Sequence, residues 1–205
     1  RLVGSEMCIR DRFNTINAAT SVAIDASAVT GLASDTASNI KTLLTAGNDS
    51  SQFTEDSFGS LTTVEVSDGT LSGSDLAEAI DQANAATGDT TTVFTITAAV
   101  EITGTEEDFT ALIADENAQQ IDITNQNLTV DVGAMSVANA KALSSATSGI
   151  VVGTNILGTT IAKMLDSSSG LQDSNQNAFT ITIADGDAEV TATNLTALYG
   201  KTSVA

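Results

Sequence analysis

Four groups of residues have types and spacings that could carry chemistry. Ser38 and Lys41 stand in the S-x-x-K arrangement in which a lysine amine helps activate a serine for acyl transfer, without the S-D-N and K-T-G companions of that machinery. Gly200-Lys201-Thr202 reads like the end of a phosphate-cradling loop. Leu195 occupies the place where that loop needs its first glycine, so the expected role of Gly200 is to end a helix. Asp185, Asp187 and Glu189 alternate through a turn, a spacing from which carboxylate oxygens could reach Ca²⁺ weakly, but Gly186 and Thr196 break the EF-hand pattern. Asp75, Glu78 and Asp81 share one predicted helix face, the raw material of acid–base catalysis.

Composition limits what these groups can do. The 205 residues contain no His, Trp or Pro and one Cys, with 26 acidic against 7 basic residues and a formal charge of -19. Ser-His and Cys-His nucleophiles, histidine bases and the usual zinc sites are therefore excluded. Paired acids in a glycosidase need an apolar cleft with aromatic platforms, and six Phe with one Tyr supply few. No apolar run of about 20 residues exists to cross a membrane. We expect no catalytic, cofactor-binding or metal-ligating residue, and hence no enzyme.

Arg1 to Arg12 (RLVGSEMCIRDR) hold three of the seven basic residues and the only Cys. The segment resembles the translation of a transposon-end adapter used in sequencing libraries and is read as foreign to the protein; no apolar stretch follows it, as a signal peptide would require. Residues 13–205 then carry four Lys, no Arg and 24 acids. Such a surface repels phosphates and anionic lipid heads, which argues against nucleic-acid partners and polybasic membrane attachment.

The elements that would position any site follow from internal repetition. Phe13 to Ala23 aligns without gaps on Leu195 to Ala205, ending in an identical Thr-Ser-Val-Ala. Between these ends an apolar, β-prone cluster returns at Val64, Val93, Ile121, Ile150 and Phe179, at spacings of 28 or 29 residues. Each unit reads as an alternating run, a polar turn, a second alternating run, then a Ser or Thr opening a helix. Turns are expected at Asp68-Gly69, Asn125 to Asn127, Gly153 to Asn155 and Asp185-Gly186, and helix caps at Ser34, Ser74, Thr105, Ser136, Thr159 and Thr193. Thr105 with Asp108 matches a capping box.

Because one unit cannot bury its own apolar face, about six would stack. The expected fold is an α/β repeat solenoid of strand-turn-strand-helix units of about 29 residues spanning 13–205. Its alternative is a compact α+β fold with β-hairpins and helices, to which the Asp-Gly turns are suited. The polar stretch Gly47 to Ser60 is expected to be a surface insertion, with Phe53 and Phe58 either contacting a ligand or covering the neighbouring unit.

The phrases NTINAATSVAIDASAVTGL, VSDGTLSGSDLAEAI and NLTALYGKTSVA resemble repeats of very large acidic proteins encoded by marine picocyanobacteria, some of them exported to the cell surface and linked to adhesion or motility. The resemblance covers residues 13–205 and implies an internal slice of a longer protein. It further implies a non-catalytic spacer at the cell surface or outside the cell, whose partners are neighbouring repeats, with cell-surface polymers or divalent cations as further candidates. The alternative is a Ca²⁺- or glycan-binding module of a secreted protein, using loops such as Gly47 to Ser60 or the Asp185 turn.

Overall fold

The computed structural model describes Ala19 and residues 22–99, 101–131, 133, 135–156, 160–171, 177–183 and 190–203. The adapter-like segment, most of the Phe13 to Ala23 match, Thr159 and the Asp185 turn lie outside the described residues. The chain is mixed α/β and divides into two bodies, residues 1–99 with 114–122, and residues 100–113 with 123–205.

In the first body, β1 (Gly31–Asp35), β2 (Thr63–Val66) and β4 (Val93–Ile96) run parallel in that order. Alternation decides which side chains enter the core: in β2, Val64 and Val66 are buried while Thr63 and Glu65 are exposed. Helices α1 (Ala37–Gly47) and α2 (Gly73–Thr87) pack against each other. They bury Ile40, Leu43 and Leu44 on one side and Leu76, Ile80 and Ala83 on the other, one stripe per helix. The short β3 (Thr70–Ser72) leads directly into α2.

In the second body, β5 (Glu101–Gly104), β6 (Asn127–Val130), β7 (Val151–Ile156) and β8 (Ala178–Ile181) are successive parallel neighbours. Helix α3 (Glu106–Asn117) buries Phe109 and Leu112, and α4 (Val137–Ala146), α5 (Ile161–Met164) and α6 (Ala192–Tyr199) follow β6, β7 and β8. Gly153 lies in register with Val130 and Phe179. A Cβ at Gly153 would collide with the Met135 methyl and come within 3.2 Å of the Phe179 ring, so glycine makes room for both side chains.

The mixed α/β architecture agrees in class with the compact alternative, but every strand pairing described in these bodies is parallel and none of them is a β-hairpin. Asp68-Gly69 joins β2 to β3, yet the two strands belong to different sheets. The regular apolar cluster also needs correction. Val64 is paired with Phe94, not Val93, and Leu128 with Val151, not Ile150. Val93 and Ile150 are exposed while Phe94 and Val151 are buried, because a shift of one residue moves a strand side chain to the opposite face. The paired positions are about 30 residues apart in the first body and 23 to 26 in the second, so no single spacing describes the chain.

Two of the expected helix caps are found: Ser136 accepts from Asn139 N, and Thr105 forms the capping box with Asp108, giving and receiving backbone hydrogen bonds at 2.8 and 3.3 Å. Three others lie two residues from the expected position. Thr36, Ser72 and Thr191 cap α1, α2 and α6 in place of Ser34, Ser74 and Thr193, and Thr160 caps α5. In a chain this rich in Ser and Thr, several residues near each helix start can cap, and the end of the preceding strand selects one.

Candidate functional site

Lys41 reaches from α1 to α2, where its ammonium donates to the Asp75 carboxylate and lies 3.2 Å from Glu78 Oε2. Its hydrogen bonds to Asp75 and then to Glu78 raise its pKa, so the amine stays protonated. A protonated lysine cannot serve as a base, and the exposed Ser38 is not among its partners. Lys41 and two of the three acids on the α2 face thereby form one inter-helix ion cluster that leaves Ser38 outside it. The third acid, Asp81, faces Asp115, whose pKa is pushed up to about 6 by burial and secondarily by the Asp81 charge.

Gly200 ends α6, with its N–H bonded back to the Thr196 carbonyl. It has φ -69°, and the loop it opens follows a helix rather than a strand, unlike a phosphate-cradling loop. Thr202 is occupied with the backbone: its hydroxyl accepts from Phe179 N at 2.9 Å and bonds Phe179 O at 2.7 Å. The Asp185, Asp187, Glu189 turn lies outside the described residues. Among the described residues no group of three or more Asp, Glu or Cys converges as a metal site would require.

Gly47 to Ser60 separates by polarity. Asp49, Ser50, Ser51, Glu55 and Asp56 are exposed, whereas Phe53, Ser57 and Phe58 are buried. The two rings pack with centroids 5.5 Å apart, and the Ser57 hydroxyl accepts from Ala26 N at 3.2 Å. Ile24 forms a parallel bridge to Phe53. Neither ring is presented to a ligand.

No sequence motif marks a series of polar side chains that bond the backbone of the adjacent strand or its flank. Thr62 donates to Thr30 O at 2.9 Å, Thr92 to Leu61 O at 3.0 Å, Thr97 to Val66 O at 3.0 Å and Thr147 to Thr124 O at 3.1 Å. Asn177, buried at the start of β8, accepts from Val151 N at 3.0 Å and donates to Ser144 Oγ at 2.8 Å. Gln120 is buried in the same manner, donating to Asn84 Oδ1 at 2.6 Å. Buried polar groups are tolerable only when bonded, and these bonds also set which residues lie opposite. The signal in the sequence is the Thr or amide just ahead of an apolar run, as at Thr62, Thr92, Gln120 and Asn177, or just behind one, as at Thr97.

Against family models, curated proteins and solved structures, the chain matches none. A groove of about 250 Å³ lies between β8 and α6, floored by Phe179 and Leu198 and rimmed by Leu195 and Tyr199. Among the described residues, no charged side chain lines it. Among the described residues, no helix is long and apolar enough to cross a membrane.

Proposed function

We propose that residues 13–205 are a non-catalytic spacer segment of an exported cell-surface repeat protein, in which α/β units stack as a solenoid. The observation that carries this reading is the recurrent link between one strand and the next, parallel pairing reinforced by a Thr, Asn or Gln side chain on the neighbouring backbone. Such a link is the same wherever it occurs, so it can be extended by adding units without redesigning a core. The candidate chemical groups support the reading in another way, since Lys41, Asp75, Glu78 and Thr202 are engaged in packing bonds. An acidic, Arg-free surface keeps a long array soluble and separate from its copies.

Small-angle scattering of the chain tests the reading. A compact globule of this length has a radius of gyration of about 17 Å. The spacer reading predicts a larger value with a skewed pair-distance distribution of constant cross-section. A symmetric distribution at the compact value would overturn it.

A further inference from the structure

Asp68 stands between two roles. Its carboxylate accepts the backbone N–H of Ala37 at 2.8 Å, at the first residue of α1. The residue after it is Gly69, and Asp-Gly occurs at one other place in the sequence, Asp185-Gly186. In an Asp-Gly pair the glycine nitrogen can attack the aspartyl Cγ, because no Cβ crowds its approach. Gly69 leaves that approach open: it is exposed, and even a Cβ placed there would meet no atom within 4 Å.

What opposes the attack is the cap. Ring closure requires the Asp68 carboxyl to turn back onto its own main chain, whereas the bond to Ala37 ties one of its oxygens to the start of a helix. The same carboxyl cannot serve both ends at once.

We propose that Asp68-Gly69 is a site of covalent self-modification to isoaspartate, held in check by the hydrogen bond from Ala37. When that bond opens, Gly69 N bonds to Asp68 Cγ and gives up its proton, one carboxyl oxygen leaves as water, and a succinimide forms. Water then adds to one of the two ring carbonyls. Addition at Cγ breaks the new bond and restores aspartate. Addition at the former main-chain carbonyl breaks the original peptide bond, so the chain runs on through Cγ and a carboxylate is left directly on Cα. One water is lost and one regained, and no other reactant is needed. The main chain is now one carbon longer at this turn and the acidic side chain one carbon shorter, so the carboxylate no longer reaches Ala37. That amide belongs to the first turn of α1 and has no partner within the helix. Each modified chain has thus lost the contact that restrained it.

Peptide mapping of the full chain, with electron-transfer fragmentation to tell isoaspartate from aspartate, follows the reaction at neutral pH. The folded chain should accumulate isoaspartate at position 68 at least tenfold more slowly than the same chain in urea, where Asp185-Gly186 reports the rate of an unrestrained pair. Ala37→Pro removes the N–H from a position where helices accept proline, and Thr36, at φ -70° and ψ 149°, already has the backbone that precedes one. In the folded state this variant should speed the reaction at Asp68 at least threefold and leave Asp185 unchanged. Gly69→Ala, at an open position without a positive φ, should slow it at least tenfold both folded and in urea, the mark of attack by that nitrogen. The isoaspartate-68 chain, once separated from its parent, should unfold at a lower urea concentration. If Ala37→Pro fails to fold, Thr36→Ala replaces it, since losing the Thr36 cap frays the same helix end without touching Asp68. Equal rates at Asp68 in the folded chain and in urea, or a folded variant with the wild-type rate, would overturn the restraint by the cap. A rate indifferent to Gly69→Ala would overturn the modification itself.

Discussion

The carboxylate of Asp68 accepts the backbone N–H of Ala37 at 2.8 Å, so the turn after β2 closes the first turn of α1, 31 residues earlier in the chain. The first amides of a helix have no partner within it, and a carboxylate there also meets the positive end of the helix dipole. Asp68→Ala should cost about 1 kcal/mol in urea unfolding, the usual value of a helix cap. Asp68→Asn should recover part of that loss, because the amide oxygen still accepts.

Thr92 is fully buried, and its hydroxyl bonds the Leu61 carbonyl. Thr92→Val keeps the shape and removes the donor. We expect a loss of ~1–3 kcal/mol, the cost of leaving a buried carbonyl unpaired, while Thr92→Ser should retain most of the stability. Chemical denaturation of the three proteins separates hydroxyl from methyl.

Gly47 is the last residue of α1, and a Cβ placed there would lie 2.5 Å from the Phe58 ring. Gly47→Ala should therefore destabilise by ~1–3 kcal/mol through overpacking, against the usual helix preference for alanine. Phe58→Ala empties a fully buried site and should cost ~3–5 kcal/mol. If the aromatic pair instead lay loosely on the surface, both substitutions would be nearly silent in thermal unfolding.

Asp25, Asp49, Asp89 and Asp166 each accept hydrogen bonds from a Ser or Thr two residues ahead, and Asp166 also from Ser169. For Asp49 the bond from Gln52 comes first; for all four, hydrogen bonding holds the folded pKa below its ordinary value. A depressed folded pKa contributes stability that is complete above the unfolded value near 3.9 and is lost as pH falls through the folded one. Melting temperature should therefore drop below about pH 4, and Asp166→Asn should flatten that drop more than any of the other three.

Asp115 runs the other way. Its folded pKa of about 6 lies above the unfolded value, so the folded state binds the extra proton and loses stability as pH rises from about 4 to 6. Asp115→Asn should remove that dependence and stabilise the chain at pH 7 by about 1 kcal/mol, the full shift being discounted for partial exposure. Equal melting curves for both proteins from pH 4 to 7 would contradict this.

Much of the secondary structure was legible in residue order. Alternation revealed β2 and β6, Ser136 and Thr105 located two helix starts, and the Leu76/Ile80 and Phe109/Leu112 pairs marked buried helix faces. The register was not legible at single-residue precision. Val93-Phe94 and Ile150-Val151 each place two apolar residues side by side, and sequence cannot tell which one enters the core. The S-x-x-K spacing misleads for a related reason: Ser38 and Lys41 are near in sequence, but Lys41 finds its partners 34 and 37 residues away on another helix. The β8–α6 groove had no motif at all, since Phe179 comes to lie beside Leu195 and Tyr199 only after folding.

The paired strands sit about 30 residues apart in one body and as few as 23 in the other, yet both use parallel pairing with side-chain links to the neighbouring backbone. Alignment here is enforced locally, contact by contact, instead of by a count of residues between contacts. Lengthening or shortening one loop then disturbs that loop and leaves every other pairing in place. A gene of this kind can gain or lose short stretches of sequence without corrupting the rest of its product, which makes length the most freely varied property of the molecule.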